Sequence, residues 1–287
     1  MRLVRFTTDS SQPSLGLERD GQIFDLSGAD TSLPTDCGEL LAVDDWRRKC
    51  EEAAATATAY PLTAVALQAP LTRPGKIVCL GLNYQSHLDE TGLEKPSDPT
   101  VFAKYASSIT GPNDPIVLPA AAPKRVDYEA ELAFVIGRRG RDVEAAQAMD
   151  MIAGYTVAND VSARDWQLRR SGGQWLLGKT FDTFLPIGPA LVTADEVTAP
   201  EDLRVTCTVS GDLLQDGNTG ELLFGIAEIV SYLSTVFVLE PGDLILTGTP
   251  GGVGMSRDPR RFLQAGDTVE VAVEGIGTIR NPVAEAV

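Results

Sequence analysis

Residues 127–136 read Asp-Tyr-Glu-Ala-Glu-Leu-Ala-Phe-Val-Ile, an acidic alternation that runs into an apolar one without a change of period. Successive side chains of a β-strand point to opposite faces, so Asp127, Glu129 and Glu131 share one face of a predicted strand 126–136. Beyond Glu131 both faces are apolar, which indicates a strand covered on both sides. The pattern therefore predicts carboxylates in a buried setting.

Carboxylates on one covered face stand about 6–7 Å apart, repel each other and lose their hydration. The usual remedies are a proton, a cationic partner or a bound cation. A hard divalent metal would relieve both the repulsion and the lost hydration. The alternative is an acidic, solvated edge strand without chemistry.

Two further segments favour the metal site. Residues 156–160, Thr-Val-Ala-Asn-Asp, end a second apolar run in a carboxylate, Asp160. The next residues predict a helix that starts at Ser162 with a capping box to Asp165. Near the C-terminus, residues 243–254 predict a strand followed by a glycine-rich loop, where a ligand can approach the backbone closely.

The chain has 287 residues, with 24 basic and 40 acidic side chains and a net charge of −16. This length suits one large domain, or one domain with a small appendage. The acidic balance argues against a nucleic-acid partner and against an anionic membrane surface. No apolar run approaches the about 20 residues of a membrane span, and no signal-peptide core follows Met1, so we expect a cytoplasmic protein.

The cysteines and the histidine narrow the metal chemistry. The four cysteines are widely spaced with no C-x-x-C pair, so buried free thiols are expected rather than a thiolate zinc site or a redox motif. The single histidine, His87, excludes zinc sites built from two or three imidazoles. Any metal must be held by oxygen, which favours Mg²⁺, Mn²⁺ or Ca²⁺.

The predicted fold class is α+β, mostly β, with a domain boundary near residue 72. Residues 1–71 form a small N-terminal α+β domain, with a hairpin turn at Asp20-Gly21 and a long helix from a cap at Asp36 to about Ala59. Residues 72–287 form the larger domain. Its strands are predicted at 76–81, 116–118, 126–136, 154–160, 187–193, 203–210, 243–247 and 268–274, and its helices at 144–151, 162–170 and 225–236.

Residues 173–180 match the phosphate-binding pattern G-x-x-x-x-G-K-[ST] letter for letter. A phosphate-binding loop needs a strand before it and a helix that opens at the lysine, here Lys179. The segment before Gly172 is helix-like, and Pro186 makes the segment after the lysine a poor helix. The sequence context therefore argues against a nucleotide site.

His87 follows a predicted strand and lies three residues before Glu90. If this segment is helical, the two side chains share a face, and the carboxylate can orient the imidazole and stabilise its charge. A lone histidine is more often incidental than catalytic, so the surrounding motifs must show whether His87 is functional.

Five ordered motifs together resemble the fumarylacetoacetate hydrolase family. They are Gly-x-Asn-Tyr-x-x-His-x-x-Glu at 81–90, Asp-Tyr-Glu-x-Glu-Leu at 127–132, Asn-Asp-x-Ser-x-Arg-Asp-x-Gln at 159–167, Gly-Lys-Thr-Phe-Asp at 178–182 and Thr-Gly-Thr-Pro at 247–250. The resemblance covers residues 72–287, and the first 70 residues weakly resemble the small N-terminal domain of longer bacterial members. It implies a β-roll catalytic domain and a homodimer.

The resemblance also implies roles for particular residues. Glu129, Glu131 and Asp160 would hold Mg²⁺ or Mn²⁺. Some members have a fourth acidic ligand shortly before the histidine, where this chain has Leu80-Gly81-Leu82, so three carboxylates must suffice. His87 and Glu90 would form an acid/base dyad on a lid at 85–99. The implied substrate contacts are Lys179, Arg164, Gln167, Gly248 and Thr249.

The expected reaction is hydrolytic carbon–carbon cleavage of a 2,4-diketo acid, such as an acylpyruvate or a diketo sugar acid, to pyruvate and a carboxylic acid. His87 would take a proton from the attacking water, and Lys179 would neutralise the oxyanion. An alternative on the same metal site is decarboxylation of an oxaloacetate-type acid, or isomerisation of an unsaturated dicarboxylic keto acid. A second alternative is a non-catalytic protein that binds a metal or a carbohydrate acid.

Overall fold

The computed structural model of the protein describes residues 1–8, 12–92, 94–170 and 172–286. Leu93, within the predicted lid, and Val287 lie outside these described residues. Strands dominate, with short helices between them, so the mostly β, α+β fold class is confirmed. No helix in the described ranges is long and apolar enough to cross a membrane.

The described residues before 72 form five strands and three short α-helices. They are β1 (Arg2–Thr7), β2 (Ser14–Arg19), β3 (Gln22–Asp25), α1 (Leu26–Ala29), α2 (Cys37–Leu40), α3 (Trp46–Ala54), β4 (Ala59–Pro61) and β5 (Ala66–Gln68). The hairpin at Asp20-Gly21 is confirmed, with φ of 51° and 73°. The long helix to Ala59 is wrong, because Asp36 caps only α2 and Asp45, with a left-handed φ of 55°, separates α2 from α3.

The described residues from 72 onward form the remaining strands and four α-helices. The strands are β6 (Ile77–Gly81), β7 (Thr100–Ala103), β8 (Ile109–Thr110), β9 (Ile116–Leu118), β10 (Val126–Asp127), β11 (Ala130–Ile136), β12 (Ile152–Asn159), β13 (Ser162–Ala163), β14 (Leu185–Thr193), β15 (Arg204–Val209), β16 (Asp212–Asn218), β17 (Leu244–Leu246), β18 (Thr268–Val273) and β19 (Gly277–Glu285). The helices are α4 (Gln85–Thr91), α5 (Ala145–Ala148), α6 (Leu176–Lys179) and α7 (Ile226–Val236).

A 12-stranded sheet occupies the centre, in the order β4-β3-β2-β1-β14-β12-β11-β17-β6-β7, with β5 on β1 and β8 on β14. A five-stranded sheet, β16-β15-β18-β19-β9, and the pair β10-β13 complete the strands. Strand β1 pairs with β14, Arg2 opposite Val192, so the N-terminal strands extend the central sheet. The division into domains 1–71 and 72–287 stays a prediction.

Strand β11 is buried along its whole length and contributes side chains to both apolar clusters of the core. Leu132 and Phe134 pack into one apolar cluster, and Ala133 and Val135 pack into another on the opposite face. Full burial of a large apolar side chain contributes about 1.5–3 kcal/mol to folding. The expectation of a strand covered on both sides is therefore confirmed. All four cysteines are buried and free, as expected.

The predicted strand 126–136 is interrupted at residues 128 and 129. Its first part, β10, pairs with β13, whereas β11 pairs with β12 and β17. The backbone departs from the ladder where the Asp127 carboxylate accepts hydrogen bonds from the amides of Tyr128 and Gly254. The uninterrupted strand was wrong because this side-chain bonding competes with strand pairing.

The predicted capping box at Ser162 is not formed. Ser162 lies in β13, and its hydroxyl donates to the Asp160 carbonyl at 2.9 Å. Asp165 instead lies 3.5 Å from Arg125 in an ion pair. The helical turn that follows, Trp166–Arg170, is a π-helix and begins later than predicted.

Candidate active site

Three carboxylates meet at the adjoining ends of β11 and β12. Glu129 immediately precedes β11, Glu131 is the second residue of that strand, and Asp160 directly follows β12. The Asp160 amide donates to the Glu129 carbonyl at 2.9 Å, which holds the two strand ends together. One oxygen from each carboxylate lies within 4.8 Å of the others, and all three residues are buried. The predicted metal ligands are thus brought together.

Buried cations surround this acidic trio. Lys179 Nζ donates to Glu129 Oε2 at 2.6 Å and to Asp160 Oδ2 at 2.8 Å. Lys104 Nζ donates to the other Asp160 oxygen, Oδ1, at 2.6 Å. Lys104 was missed from the sequence because a lysine at the end of the short strand β7 resembles any solvated strand end.

The pKa values of the two glutamates of the trio are shifted in opposite directions by the neighbouring charges. Burial raises the pKa of Glu129, but the nearby Lys179 and Arg164 outweigh burial and lower this pKa to about 2. Burial, reinforced by Asp160 and Glu129, raises the pKa of Glu131 well above its usual value. Within the described residues no lysine or arginine forms an ion pair with Glu131.

The acidic trio fits a hard divalent cation. Carboxylate oxygens are the ligands that Mg²⁺, Mn²⁺ and Ca²⁺ prefer in proteins. A bound cation would stabilise the ionised form of Glu131, the one carboxylate of the trio without an ion pair to a described residue. Three protein ligands would leave about three octahedral positions for water and substrate.

Helix α4 places the histidine and glutamate of the predicted dyad in contact. His87 Nδ1 lies 2.7 Å from Glu90 Oε1, and the other carboxylate oxygen of Glu90 accepts a hydrogen bond from the Gly252 amide at 2.7 Å. The i, i+3 spacing on a helix produces the first contact, and the glycine-rich loop provides the second. With Nδ1 held by Glu90, Nε2 is the ring nitrogen that can exchange a proton with a ligand.

Arg164 is oriented from three sides. Its Nε donates to Asp127 Oδ2 at 2.8 Å, and its Nη1 donates to Gln167 Oε1 at 2.9 Å and lies 2.6 Å from Glu129 Oε1. Its Nη2 is buried and makes no hydrogen bond to a described residue. Since a buried guanidinium donor is costly to leave unpaired, this nitrogen is suited to bind an anionic group of a ligand.

The loop after β17 contacts the trio through its backbone. The Gly248 amide donates to Glu131 Oε2 at 2.7 Å. The Thr249 hydroxyl donates to the Ala130 carbonyl at 2.9 Å and accepts from Gln215 Nε2 at 2.8 Å. The proton of the Thr249 hydroxyl is therefore already used, so a contact of Thr249 with a substrate carboxylate would need its backbone amide.

A small cavity of about 110 Å³ lies beside the trio. Six of the predicted site residues line it: His87, Glu129, Arg164, Gln167, Lys179 and Thr249. The other four do not line it: Glu90 contacts His87, Asp160 contacts Lys179, Gly248 precedes Thr249, and Glu131 accepts a hydrogen bond from the Gly248 amide. The lining residues that sequence reasoning missed are Leu80, Gly81, Leu82, Thr91, Phe102, Leu168, Trp175 and Met255.

The phosphate-loop pattern at 173–180 has a different use in the structure. A π-helix rather than a strand precedes it, and its lysine ends the one-turn helix α6. The Lys179 ammonium is bound by two carboxylates, which leaves the motif without the free cation that a phosphate would need. The position of the motif after a π-helix and the two carboxylates on Lys179 agree with the sequence argument against a nucleotide site.

Comparisons with known proteins place the chain among enzymes. The family model described as fumarylacetoacetate (FAA) hydrolase C-terminal matches residues 76–284. A curated relative, a mitochondrial oxaloacetate tautomerase of Xenopus laevis, is 47% identical over 99% of this chain and 90% of its own length.

Two solved structures are similar over nearly the whole chain. Maleylpyruvate hydrolase from Sphingobium sp. SYK-6, in complex with manganese(II) and pyruvate, has a TM-score of 0.83 and 32% identity, with all of both chains covered. A 2-hydroxyhepta-2,4-diene-1,7-dioate isomerase from Mycobacterium marinum has a TM-score of 0.79 and 38% identity, covering 99% of this chain and 98% of its own. The expected β-roll type of fold is confirmed by these similarities.

Proposed function

Because the chain belongs to the fumarylacetoacetate hydrolase family, we propose that it is a metal-dependent tautomerase of an oxaloacetate-type 2-keto dicarboxylic acid. The observation that supports this proposal most is the grouping of a glutamate-bound histidine, an acidic trio and a buried guanidinium donor around one small cavity. The 47% identity to an oxaloacetate tautomerase favours proton transfer over the carbon–carbon hydrolysis that the motifs had suggested first.

The reaction moves one proton out and one in. In the enol-to-keto direction the C2 hydroxyl loses its proton, C3 gains a proton, and the C2–C3 double bond becomes the C2 carbonyl. The His87 Nε2 atom would take the proton of the C2 hydroxyl and deliver a proton to C3, and it would act in the opposite order in the reverse direction. Glu90, on Nδ1, would stabilise the imidazolium between the two steps.

Cationic side chains would bind the substrate's oxygens. Arg164 Nη2 would donate to a carboxylate, since it is buried and makes no hydrogen bond to a described residue. An ammonium has three N–H donors, and Lys179 uses two of them on Glu129 and Asp160, so the third can reach the C2 oxygen. These donors would stabilise the charge that develops on the enolate oxygen.

A divalent cation held by Glu129, Glu131 and Asp160 would supply additional electrostatic stabilisation of that oxygen and help to orient the acid. We propose Mg²⁺ or Mn²⁺, with Ca²⁺ as an alternative. The manganese(II) ion in the similar hydrolase structure supports a divalent cation in this site.

The test follows the ultraviolet absorbance of enolic oxaloacetate with chelator-treated protein before and after Mg²⁺ or Mn²⁺ is restored, while products are identified. We expect metal-dependent loss of the enol band with oxaloacetate as the product. His87→Ala should slow the reaction by about 10²–10⁴-fold, with metal binding by titration unchanged. Carbon dioxide and pyruvate as enzymatic products would indicate the decarboxylase instead.

The hydrolase remains the second candidate, because the similar Sphingobium structure is that of a maleylpyruvate hydrolase with pyruvate bound. In that reaction His87 would deprotonate a water, whose oxygen would add to the C4 carbonyl carbon of a 2,4-diketo acid. The C3–C4 bond would then break with its electron pair left on C3 as an enolate, and the His87 imidazolium would return the proton to C3 to give pyruvate. Metal-dependent release of pyruvate and a carboxylic acid from acylpyruvates, without enol turnover of oxaloacetate, would establish it.

We also propose that the protein is a homodimer and that it is cytoplasmic. Mass photometry and fractionation of the source cells test these two expectations. The Xenopus relative is mitochondrial by its name, and a protein found in that compartment would contradict the second one.

A further inference from the structure

One wall of the cavity is aromatic. Trp175 lies against the backbone of Gly81, and a methyl group built on this glycine would overlap the indole ring. The same ring meets Phe102 edge to face, with centroids 5.4 Å apart and an interplanar angle of 63°. Both aromatic side chains and Gly81 line the cavity. The indole ring can therefore pack here only because residue 81 is a glycine.

The second ring of this wall reaches the polar side of the site. Phe102 lies with its centroid 5.0 Å from Lys179 Nζ, in cation–π distance. The ammonium is thereby covered by an aromatic face on one side and bound by Glu129 and Asp160 on the other. The wall therefore stands next to the group that we expect to bind the C2 oxygen.

The cavity beside this wall is small. Its volume of about 110 Å³ lies well below the about 300–1,000 Å³ of pockets that enclose drug-sized ligands. Such a space suits a short keto acid better than one with a long acyl tail.

We propose that Trp175, seated on Gly81 and braced by Phe102, sets the length of the keto acid that the site accepts. The inference rests on the proposed function, because it takes a short 2-keto dicarboxylic acid as the substrate. Trp175 is the wall residue best able to do this, since it stands on a loop with Gly172 and Gly173 at positive φ rather than in the core. Its removal would open the cavity without emptying a packed interior.

The main test compares Trp175→Ala with wild type on oxaloacetate, 2-oxoglutarate and 2-oxoadipate. Exchange of the C3 protons in deuterium oxide, read by NMR, reports proton transfer on each acid. We expect the ratio of 2-oxoadipate to oxaloacetate exchange to rise by at least about tenfold, because each excluded methylene is worth about 10–200-fold in discrimination. Trp46→Ala, a partly buried tryptophan on α3, is the matched control and should leave the ratio unchanged.

A second pair of variants tests the contact from its other side. Gly81→Ala should displace the indole and reduce turnover of every acid. In the Trp175→Ala background the added methyl has no ring to meet, so Gly81→Ala should then cost little. Equal losses in both backgrounds would overturn the proposal, as would an unchanged length ratio in Trp175→Ala.

Equilibrium dialysis of the same three acids against metal-loaded protein tests the role of Trp175 separately from the proposed tautomerase function. If wild type exchanges no acid, the proposed function fails, and the length inference is judged on binding alone. Relative affinity for 2-oxoadipate that rises about tenfold or more in Trp175→Ala supports the inference. Unchanged relative affinities overturn it, whatever the reaction proves to be.

Discussion

Asp127 is the carboxylate of the acidic stretch that does not join the trio. It is fully buried and accepts hydrogen bonds from Arg164 Nε at 2.8 Å, from the Gly254 amide at 2.8 Å and from the Met255 amide at 3.0 Å. It thus holds the arginine that we expect to bind substrate, together with the loop that carries a lining residue. Its neighbours Glu129 and Glu131 are the proposed metal ligands, whereas Asp127 orients Arg164 and the loop.

Asp127→Asn should therefore be costly. The amide removes the negative charge beside Arg164 and turns an NH₂ group toward donors, so we expect a loss of about 3–5 kcal/mol in the free energy of unfolding. Urea denaturation measures it. Asp165→Asn is the matched control, because the Asp165 ion pair with Arg125 is about a third exposed at 3.5 Å and should contribute at most about 1 kcal/mol. Similar small losses in both variants would contradict the assigned role.

At the scale of elements, helix α4 is tied to the glycine-rich loop by the Glu90 carboxylate and by the Ser86 hydroxyl, which accepts a hydrogen bond from the Gly251 amide at 3.2 Å. Glu90→Gln weakens both its contact with His87 and its bond from the Gly252 amide. A hydrogen bond to a charged group contributes about 1.5–3 kcal/mol, so we expect turnover to fall by about 10–150-fold. Amide hydrogen exchange in α4 should also accelerate.

Asp89→Asn is the control on the same helix. Asp89 accepts a hydrogen bond from Gln85 on the exposed face and contacts neither the histidine nor the loop. Turnover and exchange should stay near wild type in this variant. If Asp89→Asn and Glu90→Gln behaved alike, the link between helix and loop would not depend on Glu90.

Asp267, which immediately precedes strand β18, is expected to make the stability of the protein depend on pH. Burial raises the pKa of Asp267, but the hydrogen bonds from Arg261 and Ser210 outweigh it, so this pKa is lowered. A lowered folded-state pKa stabilises the protein above the unfolded value of about 3.9, and that stabilisation is lost as the pH falls through the folded value. Asp267→Asn should lower stability by about 0.5–1 kcal/mol at pH 7. Urea titrations should show this difference shrinking below about pH 4, and a constant difference would contradict the assignment.

Element prediction succeeded where apolar patterning was strong and failed where a strand was polar or contained a proline. Strands β11 and β12 lie in the centre of the sheet and are fully buried, so their patterns are unambiguous. Strand β16 was not predicted, because it is a polar edge strand with no apolar face to mark it. Strand β19 was missed because it contains Pro282, which sequence rules place outside a strand interior.

For the whole molecule, metal binding should be coupled to stability. The trio exists only when β11 and β12 are paired, so a cation binds the folded protein better than the unfolded chain. At a concentration of about 100 Kd it should stabilise by about 2.7 kcal/mol, which is about 5–10 °C in Tm. Calorimetry of chelator-treated protein with and without Mn²⁺ measures the shift. Glu131→Gln should lose most of it, and an unchanged Tm in wild type would argue against the site.

The sequence by itself determined those parts of the site that depend on local spacing. The two-residue spacing kept Glu129 near Glu131 although Glu129 precedes β11, and the i, i+3 spacing placed Glu90 beside His87, because short-range backbone geometry decides both contacts. Only the tertiary structure decided which distant groups meet them. Lys104 and Trp175 reach the site from separate elements through burial and packing, which no local pattern encodes. Asp127 is likewise held away from the trio by the amides of Gly254 and Met255, which lie more than a hundred residues further along the chain. No local pattern encodes this contact either.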